Sequence, residues 1–281
     1  MKRMLILYNG QKPGARECLG RVCPWVQKRI EAEALELNDG AAAARLARAD
    51  LVVVLGGDGS ILKAARLLGG REVPVVGINL GKLGYLAEFT AEEFCDRFED
   101  IRAGRMPISR RRMLAVRWES TAAAGGECLA LNDVLVAGGQ AHRMVAVRAA
   151  IDGQDVTTYV GDGVLVSTPT GSTAYGLAAG GPILLPHLEA VVLVPVCPHS
   201  LTHRPIVIRP ESEVVLAPTD LQKEAVCVVD GQEVVRLAAG DRVCVRGADA
   251  AFLLVHSGAH ADFALLSKKL HWGQLPPYKR P

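Results

Sequence analysis

The sequence is poor in aromatic residues. They make up 5% of its 281 residues, too few to line a stacking platform for single-stranded nucleic acid. It also lacks an excess of charge of one sign. The formal net charge is +2 and 22% of residues are charged. Acidic and basic residues are interspersed, so neither nucleic acid nor a membrane is expected as the main partner. Long hydrophobic runs are missing too. The longest, around Ala190 to Cys197, contains Pro195 and is far too short to span a bilayer. The apolar stretch near Met1 is too short for a signal peptide.

Cysteine is present but unpatterned. There are 7, with no Cys-x-x-Cys pair, and several sit among apolar neighbours, as in Ala-Val-Cys227-Val-Val. They read as buried, reduced thiols of a cytoplasmic protein, not as a disulfide or metal framework. The histidine pairs 199/203 and 256/260 have helical zinc spacing. Pro198 and Pro205 bracket the first pair and Gly258 interrupts the second, so neither fits one helix face. A Walker P-loop is absent, and no Gly-x-Gly-x-x-Gly opens a helix.

What is there is apolar periodicity of two kinds. Apolar residues make up 49% of the chain, ordinary for a globular protein with a real core. Met4 to Leu7, Leu51 to Leu55 and Val73 to Ile78 are continuous apolar runs. Such runs suit strands covered on both faces, as in a parallel sheet. Between the last two, apolar residues 61, 62, 65 and 68 share one helical face, and Gly69-Gly70 ends the helix. From about Met113 the chain shows short β-rich runs broken by Gly, Asp and Pro, with one helix expected around Ser172 to Ala179. The expected fold is a Rossmann-like α/β domain with a parallel sheet over 1–112, followed by an all-β, β-sandwich-like domain over 113–261. The segment 262–281 is expected to return to the first domain through Phe263, Leu266 and Leu270 and to end in a loose tail. The Arg110-Arg111-Arg112 run reads as a solvated boundary.

Three constellations carry chemistry. Gly56-Gly57-Asp58-Gly59-Ser60 lies where a strand ends and a helix begins, the place where open α/β sheets bind ligands. Glycines let backbone N–H groups approach a polyphosphate, and the helix N-terminus adds positive potential. An aspartate there repels phosphate unless a metal ion or a hydroxyl intervenes. Asp58 therefore either accepts a proton from an attacking hydroxyl, holds metal-bound nucleotide, or merely caps the helix. Lys63, in the first turns, either reaches phosphate or is an exposed lysine. The second constellation runs from Gly161-Asp162-Gly163 through Ser167-Thr-Pro-Thr-Gly-Ser-Thr-Ala-Tyr175 to Gly180-Gly181-Pro182. Its hydroxyls can cap a helix or bind ligand oxygens, its small residues leave room for a flat ring, and Tyr175 can stack on that ring. The third is Leu131-Asn132-Asp133, either a turn signal or a donor–acceptor pair suited to ribose hydroxyls and a carboxamide.

Gly-Gly-Asp-Gly-Ser, Leu-Asn-Asp and Ser-Thr-Pro-Thr-Gly-Ser-Thr-Ala-Tyr, in this order along the chain, resemble the NAD kinase family. So do Asn79-Leu-Gly-Lys-Leu-Gly-Tyr-Leu86, Pro198-His-Ser-Leu-Thr-His-Arg-Pro205 and Asp230-Gly231-Gln232. The resemblance covers nearly the whole chain. Gly-Gly-Asp-Gly alone is shared with phosphofructokinases and with lipid and sphingosine kinases; the Thr-Pro-Thr-Gly-Ser-Thr-Ala-Tyr string is far more specific. The resemblance implies transfer of the ATP γ-phosphoryl, with Mg²⁺ or another divalent cation on the nucleotide, to the adenosine ribose 2′-hydroxyl of NAD. It implies Asp58 as the general base and Gly57, Gly59, Lys63 and Tyr85 at the nucleotides. Asn132, Asp133 and Asp162 would hold ribose or carboxamide groups. Thr173, Ala174, Tyr175, Gly176, Leu177 and Ala178 would line the NAD site, with Arg143 and Gln232 as further contacts. No metal site made of protein ligands alone is implied. The family forms homodimers or homotetramers in which neighbouring subunits complete the NAD site. Polyphosphate is an alternative donor. The family usually has Thr at Ser60 and Glu at Asp133. Rival readings are a lipid or sugar kinase, or a catalytically silent NADP(H)-binding sensor.

Overall fold

The computed structural model describes residues 1–81, 84–121, 124–139, 144–220, 224–258 and 262–270. The first part runs β1 (Arg3–Tyr8), α1 (Ala15–Gln27), β2 (Glu31–Glu36), α2 (Ala42–Leu46), β3 (Leu51–Leu55), α3 (Asp58–Leu68), β4 (Val75–Ile78) and α4 (Ala91–Arg102). Its strands are parallel, in the order β2-β1-β3-β4. Each residue of β3 is 0% exposed. Leu51, Val53 and Leu55 pack with α1 and α4, while Val52 and Val54 pack with α2 and α3. Helices on both faces are why this run shows no polar alternation. Each such Val or Leu contributes about 1.5–3 kcal/mol of burial. Gly57, extended at φ −107°, starts α3, and Gly69, left-handed at φ 57°, ends it.

The second part comprises β5 (Ile108–Glu119), β6 (Gly126–Ala130), β7 (Asp133–Gly138), β8 (Val145–Ile151), β9 (Gln154–Gly161), β10 (Gly163–Ser167), α5 (Tyr175–Ala178), β11 (Val191–Val196), β12 (Ile206–Ile208), β13 (Val214–Pro218), β14 (Ala225–Val229), β15 (Glu233–Leu237), β16 (Arg242–Val255) and α6 (Asp262–Leu270). A six-stranded antiparallel sheet, β12-β11-β10-β7-β14-β15, faces β8, β13, β16 and β5. Val134, Val136, Val164 and Val166 of one layer meet Val145, Val147, Leu216 and Val245 of the other. This is a sandwich core, with inward residues alternating along each strand.

The two parts share a sheet. β16 pairs antiparallel with β5 along their length, and its Leu254 pairs in parallel with Val75 of β4. The result is one ten-stranded sheet that runs from the parallel strands of the first part into one layer of the sandwich. Position 112 lies inside β5.

Two expectations need correction. The arginine run is not a solvated boundary. It lies within β5, Arg111 points inward at 5% exposure, Arg110 makes two hydrogen bonds to Glu72, and Arg112 bonds Glu189. The period of two along a strand puts the middle arginine on the buried face. Nor is there one helix over 172–179. A 3₁₀ turn at Gly171–Thr173 breaks at Ala174 (φ −101°, ψ −122°) before the short α5. Ser172 Oγ is the physical cause, as set out below. At the C-terminal end, Leu266 of α6 is 7% exposed and Phe263 is 58% exposed. The Lys269 ammonium stands 5.9 Å from the centre of the Tyr85 ring, so α6 packs back on the first part. The expected loose tail lies outside the described residues.

Candidate active site

The site is built on the N-terminus of α3, and its central group is Asp58. The Asp58 carboxylate accepts backbone N–H bonds from Tyr85 (2.9 Å), Leu86 (2.9 Å) and Ala87 (3.3 Å). It does not cap its own helix. Instead it fixes the loop after β4 against the start of α3. That loop is anchored from behind by Glu88, which is 5% exposed and accepts from Ser257 N and Oγ at 3.1 Å. Gly84 belongs to the same arrangement, because a Cβ there would collide with the Asp58 carboxylate.

From α3 the contacts lead into the sandwich. Gln232, between β14 and β15, donates to the Gly59 carbonyl (2.8 Å) and accepts from Arg66 Nη2 (3.0 Å). Beside it, Asp230 is 6% exposed and accepts N–H bonds from Leu131 (2.9 Å), Asn132 (2.7 Å) and Asp133 (3.1 Å). Asp230 and Gly231 both have positive φ, 50° and 64°, as a tight Asp-Gly hairpin turn requires. Burial raises the Asp230 carboxyl, while the three N–H donors oppose that shift. The neighbouring Asp133, 7% exposed, has no such donors in the described structure. Burial first, and the Asp230 charge second, push its pKa up to about 7. Asn132 presents a buried Oδ1 with no hydrogen-bond partner, an acceptor left for a ligand donor.

The Ser167–Thr173 string docks on the same segment. Thr168 N donates to Asn132 O and Thr168 Oγ1 to Leu131 O. A side chain at Gly171 would strike the Asn132 carbonyl. Ser172, 0% exposed, donates to Pro169 O and accepts from Leu184 N. Its hydroxyl is consumed by backbone, which holds the tight turn and prevents a regular helix. Thr170 and Thr173 line a small cleft together with Tyr85, Leu86 and Leu266. Thr173 and Leu177 are half-buried, Gly176 is buried, and Ala174, Tyr175 and Ala178 are exposed; the Tyr175 figure is 45%.

Three sequence strings are thus joined through hydrogen bonds into one connected set that includes Asp58. Other expected residues stand apart. Lys63 Nζ bonds Asn38 Oδ1, after β2. Asp162 is exposed at the opposite end of β10 from Ser167, about 15–20 Å away at the rise of a strand. Arg143 lies outside the described residues. Asp230 and Gly84 stand within strings that carry the family resemblance, but the sequence assigned neither a role, although Asp-Gly between two strand-like runs was a usable hairpin signal. Among the described residues no group of three or more His, Cys, Asp or Glu is placed to hold a metal ion. A larger depression, about 690 Å³, lies on the outer face of β5, β6 and β16 and touches this set only through Arg66.

Comparison with known proteins points the same way. The ATP-NAD kinase N-terminal domain family matches residues 5–106 and the ATP-NAD kinase C-terminal domain family matches residues 131–257. The NAD kinase of Heliobacterium modesticaldum is 39% identical, covering 96% of this chain and 98% of its own. That of Geobacter metallireducens is 37% identical, covering 98% and 100%. The crystal structure of yeast NADH kinase complexed with NADH superposes with a TM-score of 0.91 at 24% identity, over 100% of this chain and 90% of that one. An NAD kinase from Archaeoglobus fulgidus in complex with ATP gives 0.75 at 25% identity, over 91% and 94%.

Proposed function

The chain belongs to the ATP-NAD kinase family, and from that premise we propose that Asp58 is the base of its reaction, the phosphorylation of NAD by ATP. The acceptor is the adenosine ribose 2′-hydroxyl. Its oxygen attacks the γ-phosphorus, the new O–P bond forms as the β,γ-bridging bond breaks, and ADP leaves. The hydroxyl proton passes to the Asp58 carboxylate, an assistance worth about 10²–10⁴-fold in rate. The observation that carries this reading is the placement of that carboxylate. It is fixed by three N–H groups at the start of α3, and the Gln232–Gly59 bond joins that start to the segment bearing Asn132 and Asp133.

Asn132 and Asp133 then receive ribose or carboxamide groups, and Thr173 to Ala178 line the dinucleotide with Tyr175 at a ring. Gly57 and Gly59 present backbone to the nucleotides. Tyr85 enters through its backbone N–H, which helps orient Asp58. Gln232 acts by joining the two halves, not by reaching into an open cleft. A divalent cation, Mg²⁺ above all, would arrive on the triphosphate and neutralise charge there; the described protein donors suit that, since Asp58 is the only carboxylate at the start of α3.

Asp162 suits a second copy of the chain. It lies between β9 and β10, beside the edge strands β9 and β12. Val160 (40%), Leu201 (85%), Ile206 (37%) and Val207 (50%) form an exposed apolar face there, as interfaces do. A dimer or tetramer burying this face would carry Asp162 toward a neighbour's site. None of the helices among the described residues is long and apolar enough to cross a membrane; a cytoplasmic role in NADP formation fits the whole reading. The lipid- or sugar-kinase alternative gives way to family membership.

The test is an assay of protein, ATP, Mg²⁺ and NAD, with product measured by an NADP-specific dehydrogenase. NADP is expected, with polyphosphate as a second donor to try. Tight NADP binding with no turnover on any donor would instead make this a silent sensor.

A further inference from the structure

The α/β sheet has one place where its connections diverge. From β1 the chain moves outward to β2; from β3 it moves the other way, to β4. α1 packs on one face with Met4 and Ile6, and α3 on the other with Val52 and Val54. The loops after β1 and β3 therefore part at a crevice beyond the strand ends, where such sheets take their ligands. One wall is the glycine turn before α3. The other is Asn9 to Gly14, which no sequence string singled out.

That second wall is preformed. Gln11 N donates to Asn9 Oδ1 (3.1 Å), Lys12 N to Asn9 O (2.9 Å), and Gly10 N to Glu36 Oε1 (3.2 Å). Lys12 is exposed, and no described group accepts a hydrogen bond from its ammonium. The ammonium crosses the crevice: a Cβ built on Gly57 would lie 3.0 Å from Lys12 Nζ. A lysine charge thus sits against the positive end of α3, with a helix start that no side chain caps. Asp58, the one acid in the first turn, aims its carboxylate at the 85–87 N–H groups and makes no ion pair with Lys12 among the described contacts. In the same turn, Ser60 is 4% exposed, and its Oγ has no hydrogen-bond partner beside Gly56. Two positive potentials meeting over glycine backbone, with a spare buried hydroxyl in the same helical turn, are complementary to a polyanion.

The geometry points to the Asn9–Gly14 loop as the second half of the phosphoryl donor's site, with Lys12 as the cation that binds the triphosphate over Gly57. This rests on the kinase reading above and extends it to a residue outside the family strings. Lys12 recognises the triphosphate and not the base. It holds the β- and γ-phosphates in line with the hydroxyl that Asp58 deprotonates. Lys63, whose ammonium already donates to Asn38 Oδ1, is the lesser contributor.

The experiment compares wild type, Lys12→Met and Lys12→Arg. Loss of one charge-assisted phosphate contact should raise the KM for ATP about 10–100-fold in Lys12→Met. The KM for NAD should stay within about twofold and the Tm unchanged, and Lys12→Arg should recover most of the loss, because a guanidinium also binds phosphate. Inorganic tripolyphosphate should compete with ATP in wild type and lose that competition in Lys12→Met. An unchanged KM for ATP in Lys12→Met overturns the assignment. So does an equal rise in both KM values with a lowered Tm, which marks a structural role. If wild type itself makes no NADP, the kinase reading has failed separately. Calorimetric binding of tripolyphosphate to wild type and Lys12→Met then still decides the role of Lys12, with equal affinity counting against it.

Discussion

At the scale of single residues, the placement of Asp58 depends on what its neighbours lack. Gly84 leaves the space into which the carboxylate reaches, and a methyl group there would strike it. Gly84→Ala is therefore expected to lower kcat by about 10-fold or more, since small misplacements of a base carry large rate losses. Steady-state kinetics beside an unchanged thermal unfolding curve would check this. Asp133 differs in kind. Its pKa, raised to about 7 by burial and by Asp230, means the folded protein holds a proton that the unfolded chain gives up near pH 4. Stability from this group is complete below about pH 4 and is lost as pH climbs through 7. Asp133→Asn should remove that decline, with a gain over wild type at pH 8 of up to about 4 kcal/mol, three pKa units' worth, and little difference at pH 4. Urea unfolding at both pH values measures it; a variant whose advantage does not grow with pH contradicts the buried-carboxyl account.

At the scale of elements, the short hairpin turn between β14 and β15 joins the two parts of the site. Asp230 satisfies three N–H groups of the 131–133 segment, and Gln232 joins that turn to Gly59. Asp230→Ala would leave those donors buried and unpaired, and a loss of about 3–5 kcal/mol in urea unfolding is expected. Sequence made some of these elements plain and hid others for physical reasons. β3 and α3 were legible because burial on both faces leaves an unbroken apolar run, and because Gly69 marks the helix end. β2 and β9 were not marked, since both are edge strands with polar, exposed residues along them. The helix expected over 172–179 failed because hydroxyls, not apolar spacing, rule that stretch. Thr168 Oγ1 donates to Leu131 O and Ser172 Oγ accepts from Leu184 N, a long-range use that a local pattern does not reveal. The same holds for Asp58, where sequence left base, metal holder and helix cap open. The cap is the one that the observed bonds to 85–87 remove.

At the scale of the whole molecule, the site lies where a parallel sheet and a sandwich share strands β5 and β16. The family strings are far apart along the chain, yet each one's backbone supports the next. Lys63, bonded to Asn38, does not join them in a single chain, and neither does Asp162, at the far end of β10. If a second copy supplies it, Asp58→Asn and Asp162→Ala should each be nearly inactive alone. Subunit exchange between them should restore activity by forming sites with both groups intact. Failure to recover any activity, with mixed oligomers confirmed by mass, would place Asp162 outside the site.

The most direct measurement of the central claim compares Asp58→Asn with wild type in NAD binding and in turnover with ATP. Asn keeps the shape of the side chain but removes its capacity to take a proton. The expected result is NAD affinity within a few-fold of wild type and a kcat lower by about 10²–10⁴-fold. A variant that binds NAD and still forms NADP at near the wild-type rate would contradict the assignment of Asp58 as the base.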